Sequence, residues 1–287
     1  MESRYRTRFK MIYVRSVIWL LLWYGACKGI MFVDFHTGMA PSTYYYPLLA
    51  YMHTDWQLAK QQYDRYFLKE RLYTEHPRIP KIIHQIWLGS PLPDYYKQLQ
   101  QSWRQHHPDW QYILWTELEI EAFGLTNKAI YDAAKNLGQK SDIARYEILY
   151  RIGGLYVDTD FVCIKPFDML HHCCDFFAGI AYGRVVSVYN GLIGAAPGHP
   201  ILYNCIDRIA QTILDDTSML GILQSTGPLL FTRCIFDVIG DTSSRCVLFP
   251  VSYFYPLPED QREDGNVATW IKPESFAIHY WHMAWMS

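Results

Sequence analysis

Apolar positions recur along this chain in two rhythms, and their alternation predicts strands and helices in turn. Ile82-Ile83-His84-Gln85-Ile86-Trp87-Leu88-Gly89 is a short apolar run closed by a Gly-Ser-Pro turn, which predicts a buried first strand. A polar helix is predicted near Tyr95 to His106, followed by a strand from Gln111 to Trp115. Thr116 to Phe123 and Lys128 to Leu137 read as helices. A central helix is predicted to start at Ser141, a suitable N-cap, and to end at Gly153-Gly154, a left-handed stop. Leu155 to Val157 then reads as a buried strand. Strands alternating with helices over this distance predict an α/β fold, a mainly parallel sheet with helical cover. Ligands of such sheets bind beyond the carboxyl ends of the strands, where Trp87 and Asp158-Thr159-Asp160 fall.

Upstream, Trp56, Ala59, Tyr63, Tyr66 and Phe67 recur at spacings of three and four, so His53 to Glu75 reads as helical. Tyr44 to Met52 is aromatic and apolar but broken by Pro47, suited either to a membrane interface or to a loop packed on the domain. At the start, Arg4, Arg6, Arg8, Lys10 and Arg15 precede an apolar run that continues to Cys27. That run is short for the ~20 residues of a bilayer span. An uncleaved anchor with its basic end cytosolic is the favoured expectation; a cleaved signal and a helix lying in the interface are the alternatives. The expected organisation is a basic tail over 1–15, an anchor over 16–33, an aromatic and helical stem over 34–78, and a catalytic domain over 79–287. The setting this implies is a secretory lumen in a eukaryote or the cell membrane in a bacterium.

The net charge of −2 carries no concentrated basic footprint, which argues against a nucleic-acid partner. None of the seven cysteines forms a Cys-x-x-Cys pair, so a zinc site is not expected; some of the six beyond Cys27 are candidates for disulfides in an oxidising lumen.

The chemistry concentrates between Asp142 and Asp160. Asp158 and Asp160 lie two apart on an extended chain, so their side chains point the same way. Paired carboxylates suit Mg²⁺ or Mn²⁺ carrying a diphosphate, although Asp-x-Asp also occurs in turns and caps. Asp142 and Arg145 share a helix face, either as a surface ion pair or as a grip on sugar hydroxyls. Asn190-Gly191 by itself reads as a turn, and His106, His107, His171 and His172 as ordinary surface residues.

Ile79-Pro80-Lys81-Ile82-Ile83-His84-Gln85-Ile86-Trp87, Ser141-Asp142-x-x-Arg145 and Gly153-Gly154-x-Tyr156-x-Asp158-x-Asp160 together resemble glycosyltransferase family 32. The resemblance covers roughly Ile79 to the C-terminus. It implies a GT-A fold, a nucleotide-sugar donor, a Mn²⁺-type ion (or Mg²⁺) and retention of anomeric configuration. By the same resemblance Trp87 stacks on the donor base, Asp142 and Arg145 hold the donor sugar, and Asn190 lies beside the reacting carbon. Asp158 is implied near ribose and sugar, and Asp160 as the direct metal ligand. The ending Ala277-Ile278-His279-Tyr280-Trp281-His282-Met283-Ala284-Trp285 resembles the family's, with Tyr280, Met283 and Ala284 in place of His, Gly and Ser. His279 is implied as a further metal or diphosphate ligand and Trp285 as a cover over the phosphates; a core-packing tail is the plain reading. Thr226-Gly227-Pro228 resembles a family turn on the acceptor side.

The expectation is therefore a metal-dependent hexosyltransferase using a GDP- or UDP-sugar, with GDP-mannose favoured because the first motif resembles the mannosyltransferase branch. The acceptor is a hydroxyl of a lipid, such as an inositol-phosphate sphingolipid, or of a glycan. Asp160→Ala is expected to abolish transfer and leave thermal stability nearly unchanged. A strand followed by Asp-x-Asp also opens the haloacid-dehalogenase phosphohydrolase site, and an inactive sugar- or lipid-binding relative is the third reading.

Overall fold

The computed structural model describes residues 31–282, apart from 43, 71–72, 215, 241–243 and 264–265. The basic tail, nearly all of the expected anchor, and Trp285 lie outside the described residues.

A six-stranded sheet forms the centre. Its strands in chain order are β1 (Ile82–Ile86), β2 (Gln111–Trp115), β3 (Gly154–Val157), β5 (Phe176–Tyr182), β6 (Ser187–Ala195) and β7 (Cys246–Phe249). In space they run β2-β1-β3-β6-β5-β7. β1 pairs parallel with β2 and β3, and β5 parallel with β7, while β6 is antiparallel to both its neighbours. Five strands therefore share one direction and β6 alone opposes them, the mainly parallel mixed sheet the sequence predicts. β3 and β7 are buried along their whole length, as strands covered on both faces must be. A second, two-stranded antiparallel sheet joins β4 (Phe161–Cys163) to β8 (Ala277–His279).

Helices cover the faces. α1 (Phe35–Met39), α2 (Leu49–Met52) and α3 (Thr54–Gln62) come first, and α3 runs on into a wider π-type turn over Tyr63–Glu70. α4 (Asp94–His106), α5 (Glu117–Phe123), α6 (Lys128–Ala133) and α7 (Leu137–Ile152) connect the first three strands. α8 (Asp168–Cys173), α9 (Pro200–Ala210), α10 (Met219–Ser225), α11 (Pro228–Phe236) and α12 (Val251–Phe254) complete the set. Met219–Phe236 is the one stretch among the described residues long and apolar enough to cross a membrane. It folds as α10 and α11, broken at Thr226-Gly227 and partly buried.

The segment expected as a stem packs into the domain. Phe35, Met39, Trp56, Ala59, Tyr63 and Phe67 are all buried. Phe67 meets Phe249 of β7 edge-on at 4.7 Å, and the Tyr63 and Tyr253 hydroxyls share a hydrogen bond of 2.8 Å. Tyr46, Leu48, Tyr51 and Met52, by contrast, stand exposed on and beside α2.

The central helix starts earlier than predicted. Asn136, not Ser141, is the N-cap of α7, its side-chain oxygen accepting from the N–H groups of Gly138 and Gln139. Ser141 lies inside the helix, where its Oγ accepts from Arg145 Nη2 at 2.9 Å. The Gly153-Gly154 stop is as predicted, with φ of 71° and 109°. A Cβ on Gly154 would sit 2.7 Å from the Ile82 carbonyl oxygen and 2.9 Å from His84 Nε2. Gly154→Ala is therefore expected to cost at least about 2 kcal/mol, by strain and clash together. Gly124, with φ 68° and open space around its Cα, is the comparison: Gly124→Ala meets the backbone strain without the clash. Equal melting temperatures for the two variants would refute this account.

All six cysteines among the described residues are free and buried.

Candidate active site

The side chains expected at the site converge where β3 ends and β6 passes it. α7 carries Asp142 and Arg145 on one buried face, three residues apart, pointing at the β3 end. β3 delivers Tyr156 and Asp158 on the same side, two residues apart. β6 runs alongside with Val157 opposite Leu192, which brings Asn190 and Gly191 level with Asp158. Asn190-Gly191 is thus strand interior rather than turn. A Cβ at Gly191 would lie 2.7 Å from Asp158 Oδ2, so a side chain there would crowd the carboxylate.

These residues form one bonded network. Asn190 Nδ2 donates to Asp142 Oδ1 and to the Tyr146 hydroxyl, both at 2.8 Å. Thr226 Oγ1 donates to Asp142 Oδ2 at 2.9 Å, placing the Thr-Gly-Pro turn against Asp142. Arg145 pairs with Asp142 Oδ1 at 3.2 Å and Asp158 Oδ1 at 3.3 Å, and its Nη1 donates to the Asn190 carbonyl at 2.8 Å. Its guanidinium lies 4.4 Å from the centre of the Tyr156 ring, and the Tyr156 hydroxyl donates to Asp158 Oδ1 at 2.7 Å. Asp142 and Arg145 form a buried pair, not the surface ion pair that was the plain alternative. Burial pushes the Asp142 carboxyl up to about 6, against the pull of Arg145 and the Thr226 and Asn190 hydrogen bonds. Arg145 is held well above its ordinary value: burial opposes this, but the Asp158 carboxylate and its neighbours prevail.

The second sheet supplies the remaining group. Phase between β4 and β8 sets Phe161 opposite His279, so a residue 119 positions away in sequence lands beside Asp160. His279 Nε2 lies 2.9 Å from Asp160 Oδ1, and the His282 backbone N–H donates to Oδ2 at 2.8 Å. Asp158, Asp160 and His279 each offer a ligand atom within 4.8 Å of the others. Two carboxylates and an imidazole form a mixed oxygen–nitrogen donor set of the kind that takes a divalent ion, the carboxylates suiting Mg²⁺ or Mn²⁺ and the imidazole a transition-metal ion. His279 presents its Nε2 to the carboxylate pair, and the Asp158 side chain keeps 30% exposure. These residues fit a divalent ion. Burial raises Asp158 from its ordinary value despite Arg145, whereas Asp160 is lowered because His279 and the His282 N–H outweigh its burial. Neighbouring carboxylates split in this way when one of them has the closer cationic or N–H partners.

Trp87 follows β1 and is half-buried; its ring lies 4.7 Å from Tyr96, and its Nε1 donates to Ser90 Oγ at 3.2 Å. Tyr95 and Tyr96 of α4 meet the His282 ring at 5.2 and 6.0 Å, linking the Trp87 side to the Asp160 side. The structure thus gathers Asp142, Arg145, Asn190, Asp158, Asp160 and His279, with Trp87 on the flank. Tyr146 and Tyr96 were not singled out in the sequence, and Tyr156 stood in the Gly-Gly-x-Tyr-x-Asp-x-Asp motif without a role. Tyr146 and Tyr156 follow from spacing alone, Tyr146 four residues after Asp142 on the helix and Tyr156 two before Asp158 on the strand.

Three histidines assigned to the surface are inside: His107, His171 and His172 are all buried. His107 is enclosed by Trp103, Trp110 and Phe167, residues its own neighbourhood in sequence only partly supplies.

Residues 93–176 match the family described as glycosyltransferase sugar-binding region containing DXD motif. The chain is 32% identical over 159 residues to inositol phosphoceramide mannosyltransferase 3 of Schizosaccharomyces pombe, covering 54% of this chain and 44% of that protein. It is 30% identical over 193 residues to an uncharacterized glycosyltransferase of Acanthamoeba polyphaga mimivirus, covering 62% of this chain and 73% of that one. The matches to the inositol phosphoceramide mannosyltransferases span less than half of those relatives' length. Among solved structures, the PaToxG glycosyltransferase superposes with a TM-score of 0.50 at 19% identity, over 65% of this chain and 80% of that one. That likeness concerns the fold alone, which is of the GT-A type.

Proposed function

The chain belongs to the glycosyltransferase family whose sugar-binding region carries the DXD motif, and from that premise we propose that it moves a hexose, mannose in particular, from GDP-mannose to a hydroxyl of a lipid or glycan acceptor. The observation that carries this reading is the convergence of Asp158, Asp160 and His279 within 4.8 Å, beside the buried Asp142–Arg145–Asn190 network. Mannose is favoured because the relatives include proteins named as inositol phosphoceramide and initiation-specific α-1,6-mannosyltransferases.

A divalent ion, Mn²⁺ in our reading, held by Asp158, Asp160 and His279 would neutralise the leaving diphosphate. In the transfer, the bond from the anomeric carbon to the diphosphate oxygen breaks, the acceptor oxygen bonds to that carbon, and the acceptor's proton leaves with the diphosphate. Arg145, charged and fixed by Asp158 and the Asn190 carbonyl, adds positive potential where the negative charge develops. Asp142 already accepts from Asn190, Thr226 and Arg145, which suits it to orienting sugar hydroxyls rather than attacking the anomeric carbon. A same-face, retaining course therefore agrees better with this arrangement than a double displacement through Asp142. Trp87, backed by Tyr96, offers a flat face for the nucleotide base. Membership in the family leaves the phosphohydrolase alternative without support.

We place the protein at a membrane of the secretory pathway. Two features support this: the apolar run ending at Cys27, which lies outside the described residues, and the exposed Tyr46, Leu48, Tyr51 and Met52 further along.

A thermal-shift screen of GDP- and UDP-sugars with and without Mn²⁺ tests the donor. At a hundredfold excess over Kd, linkage predicts about 2.7 kcal/mol of added stability for the right donor and ion together. Stabilisation by a UDP-hexose alone would overturn the GDP-mannose assignment, and stabilisation by nucleotide sugars without any ion would overturn the metal grip.

A further inference from the structure

Asp142, Tyr146, Asn190 and Thr226 form a closed circuit of hydrogen bonds in which the direction of every bond is fixed. We infer that Tyr146 is a positioning residue for sugar transfer: its hydroxyl and the Asp142 carboxylate clamp the Asn190 amide by its nitrogen, so that Asn190 has its oxygen Oδ1, and no N–H, to offer a substrate. The role in transfer rests on the donor reading above; the orientation of the amide stands apart from it.

The direction follows from counting protons. A backbone carbonyl can only accept, so the Tyr146 hydroxyl, 2.9 Å from the Thr226 carbonyl oxygen, gives its single proton there. What that hydroxyl presents to Asn190, 2.8 Å away, is therefore a lone pair. Asp142 presents lone pairs as well: Oδ2 accepts from Thr226 Oγ1 at 2.9 Å, and Oδ1 lies 2.8 Å from the same Asn190 atom. An atom facing two acceptors must be the NH2 group, and its two hydrogens match them one for one. The two ends of an amide are alike in shape, and only this bonding tells them apart. Oδ1 is left without a donor among the described residues.

One hydrogen bond would leave the amide free to swing about it; two hold its plane. The clamp itself is firmly seated. Tyr146 and Thr226 are fully buried, and the Tyr146 ring stacks on Phe231 of α11 with 5.7 Å between centroids. Burial holds the Tyr146 hydroxyl well above its ordinary range, so its proton stays in the circuit. The Asn190 backbone sits in β6, where its carbonyl accepts from Arg145 Nη1 at 2.8 Å. The circuit thus ties α7, β6 and the turn before α11 together, and a buried polar network with every member satisfied is rigid. Tyr146 is 0% exposed, so it touches no substrate and acts only through Asn190. Misplacing a group at a reacting centre by about 1 Å costs about a hundredfold in rate, the scale on which such a clamp works.

Tyr146→Phe in the full chain removes the hydroxyl and keeps the stacked ring. Asparagine-selective ¹⁵N labelling identifies the Asn190 side-chain NH2 as the signal lost in Asn190→Ala. Its hydrogen exchange is expected to quicken at least about tenfold in Tyr146→Phe, and an unchanged rate would overturn the clamp whether or not any donor turns over. With Mn²⁺ and GDP-mannose, kcat for transfer is expected to fall at least about tenfold in Tyr146→Phe, while the Kd of the donor stays within about threefold. Asn190→Ala is expected to lose at least as much, and Tyr146→Phe added to it less than about twofold more. A tyrosine that only holds the fold together would slow transfer by the same factor in both backgrounds, and that result would sink the inference. Asn190→Asp decides the matter should the phenylalanine variant not fold. It keeps an oxygen for the substrate but has no N–H for Tyr146 or Asp142, and it is expected to be as slow as Asn190→Ala; transfer within about threefold of the unaltered protein would show the clamp to be dispensable. An unaltered protein that neither binds nor turns over a nucleotide sugar would end the donor reading alone, with the exchange rates still deciding the clamp.

Discussion

Asp160→Asn is expected to lower the rate of sugar transfer about a thousandfold or more, equivalent to roughly 4 kcal/mol of lost transition-state stabilisation. The substitution keeps the side chain's shape, and its remaining oxygen still accepts from the His282 N–H that Asp160 Oδ2 now receives at 2.8 Å. What goes is the negative charge beside His279, and with it the strongest oxygen donor of the Asp158–Asp160–His279 cluster. Thermal stabilisation by Mn²⁺ with donor should vanish together with activity, while unfolding in their absence shifts by less than about 2 kcal/mol. Asp160→Ala is a poorer probe than the sequence suggests. Asp160 is buried and bonds both His279 and the His282 N–H, so alanine strands a buried donor and costs about 1–3 kcal/mol of stability. An asparagine variant retaining metal-dependent transfer within tenfold of the parent would remove Asp160 from the site.

The part of the site that local periodicity fixes was legible in the sequence. Asp142 and Arg145 are set by the helical three-residue spacing, Asp158 and Asp160 by the extended two-residue spacing, and one tight glycine stop joins the two elements. Asn190 and His279 are different. Each reaches the site through strand register, β3 against β6 and β4 against β8, and register between distant segments has no local imprint. Only the family resemblance pointed to them; without it, Asn190-Gly191 reads as a turn although it lies in β6, where the missing side chain of Gly191 leaves room for Asp158. The start of α7 was misplaced for a related reason. Ser141 and Asn136 are both competent caps, and only the folded chain shows Asn136 receiving the two free N–H groups. The buried histidines were missed because their enclosure is tertiary: the second nitrogen of His107 meets the N–H of Phe167, sixty residues away.

Three buried histidines, His84, His107 and His199, make the fold sensitive to acid, with an expected loss of about 4 kcal/mol between pH 7 and pH 5. In His84, Nδ1 accepts from the Trp115 indole N–H while Nε2 donates to the Gly153 carbonyl. In His107, Nε2 accepts from the Phe167 N–H while Nδ1 donates to the Trp103 carbonyl. In His199, Nδ1 accepts from the Ile201 N–H as the cap of α9. Each ring therefore has one nitrogen whose lone pair is in use, and protonating it would set two N–H groups against each other. Burial pushes all three down to about 4. The unfolded chain takes up these protons near 6.5, the folded chain only near 4, so unfolding absorbs protons in between and stability falls as the pH falls. Asp142 works the other way: raised to about 6, it binds its proton more tightly when folded and returns about 1 kcal/mol over the same interval. Urea unfolding at pH 7 and pH 5 reads the difference directly. His199→Asn, which keeps a capping side chain without a titrating ring, should flatten the dependence by about one proton. A free energy of unfolding that does not change between the two pH values would mean that these rings take up protons inside the fold, and that the indole and amide donors facing them have somewhere else to turn.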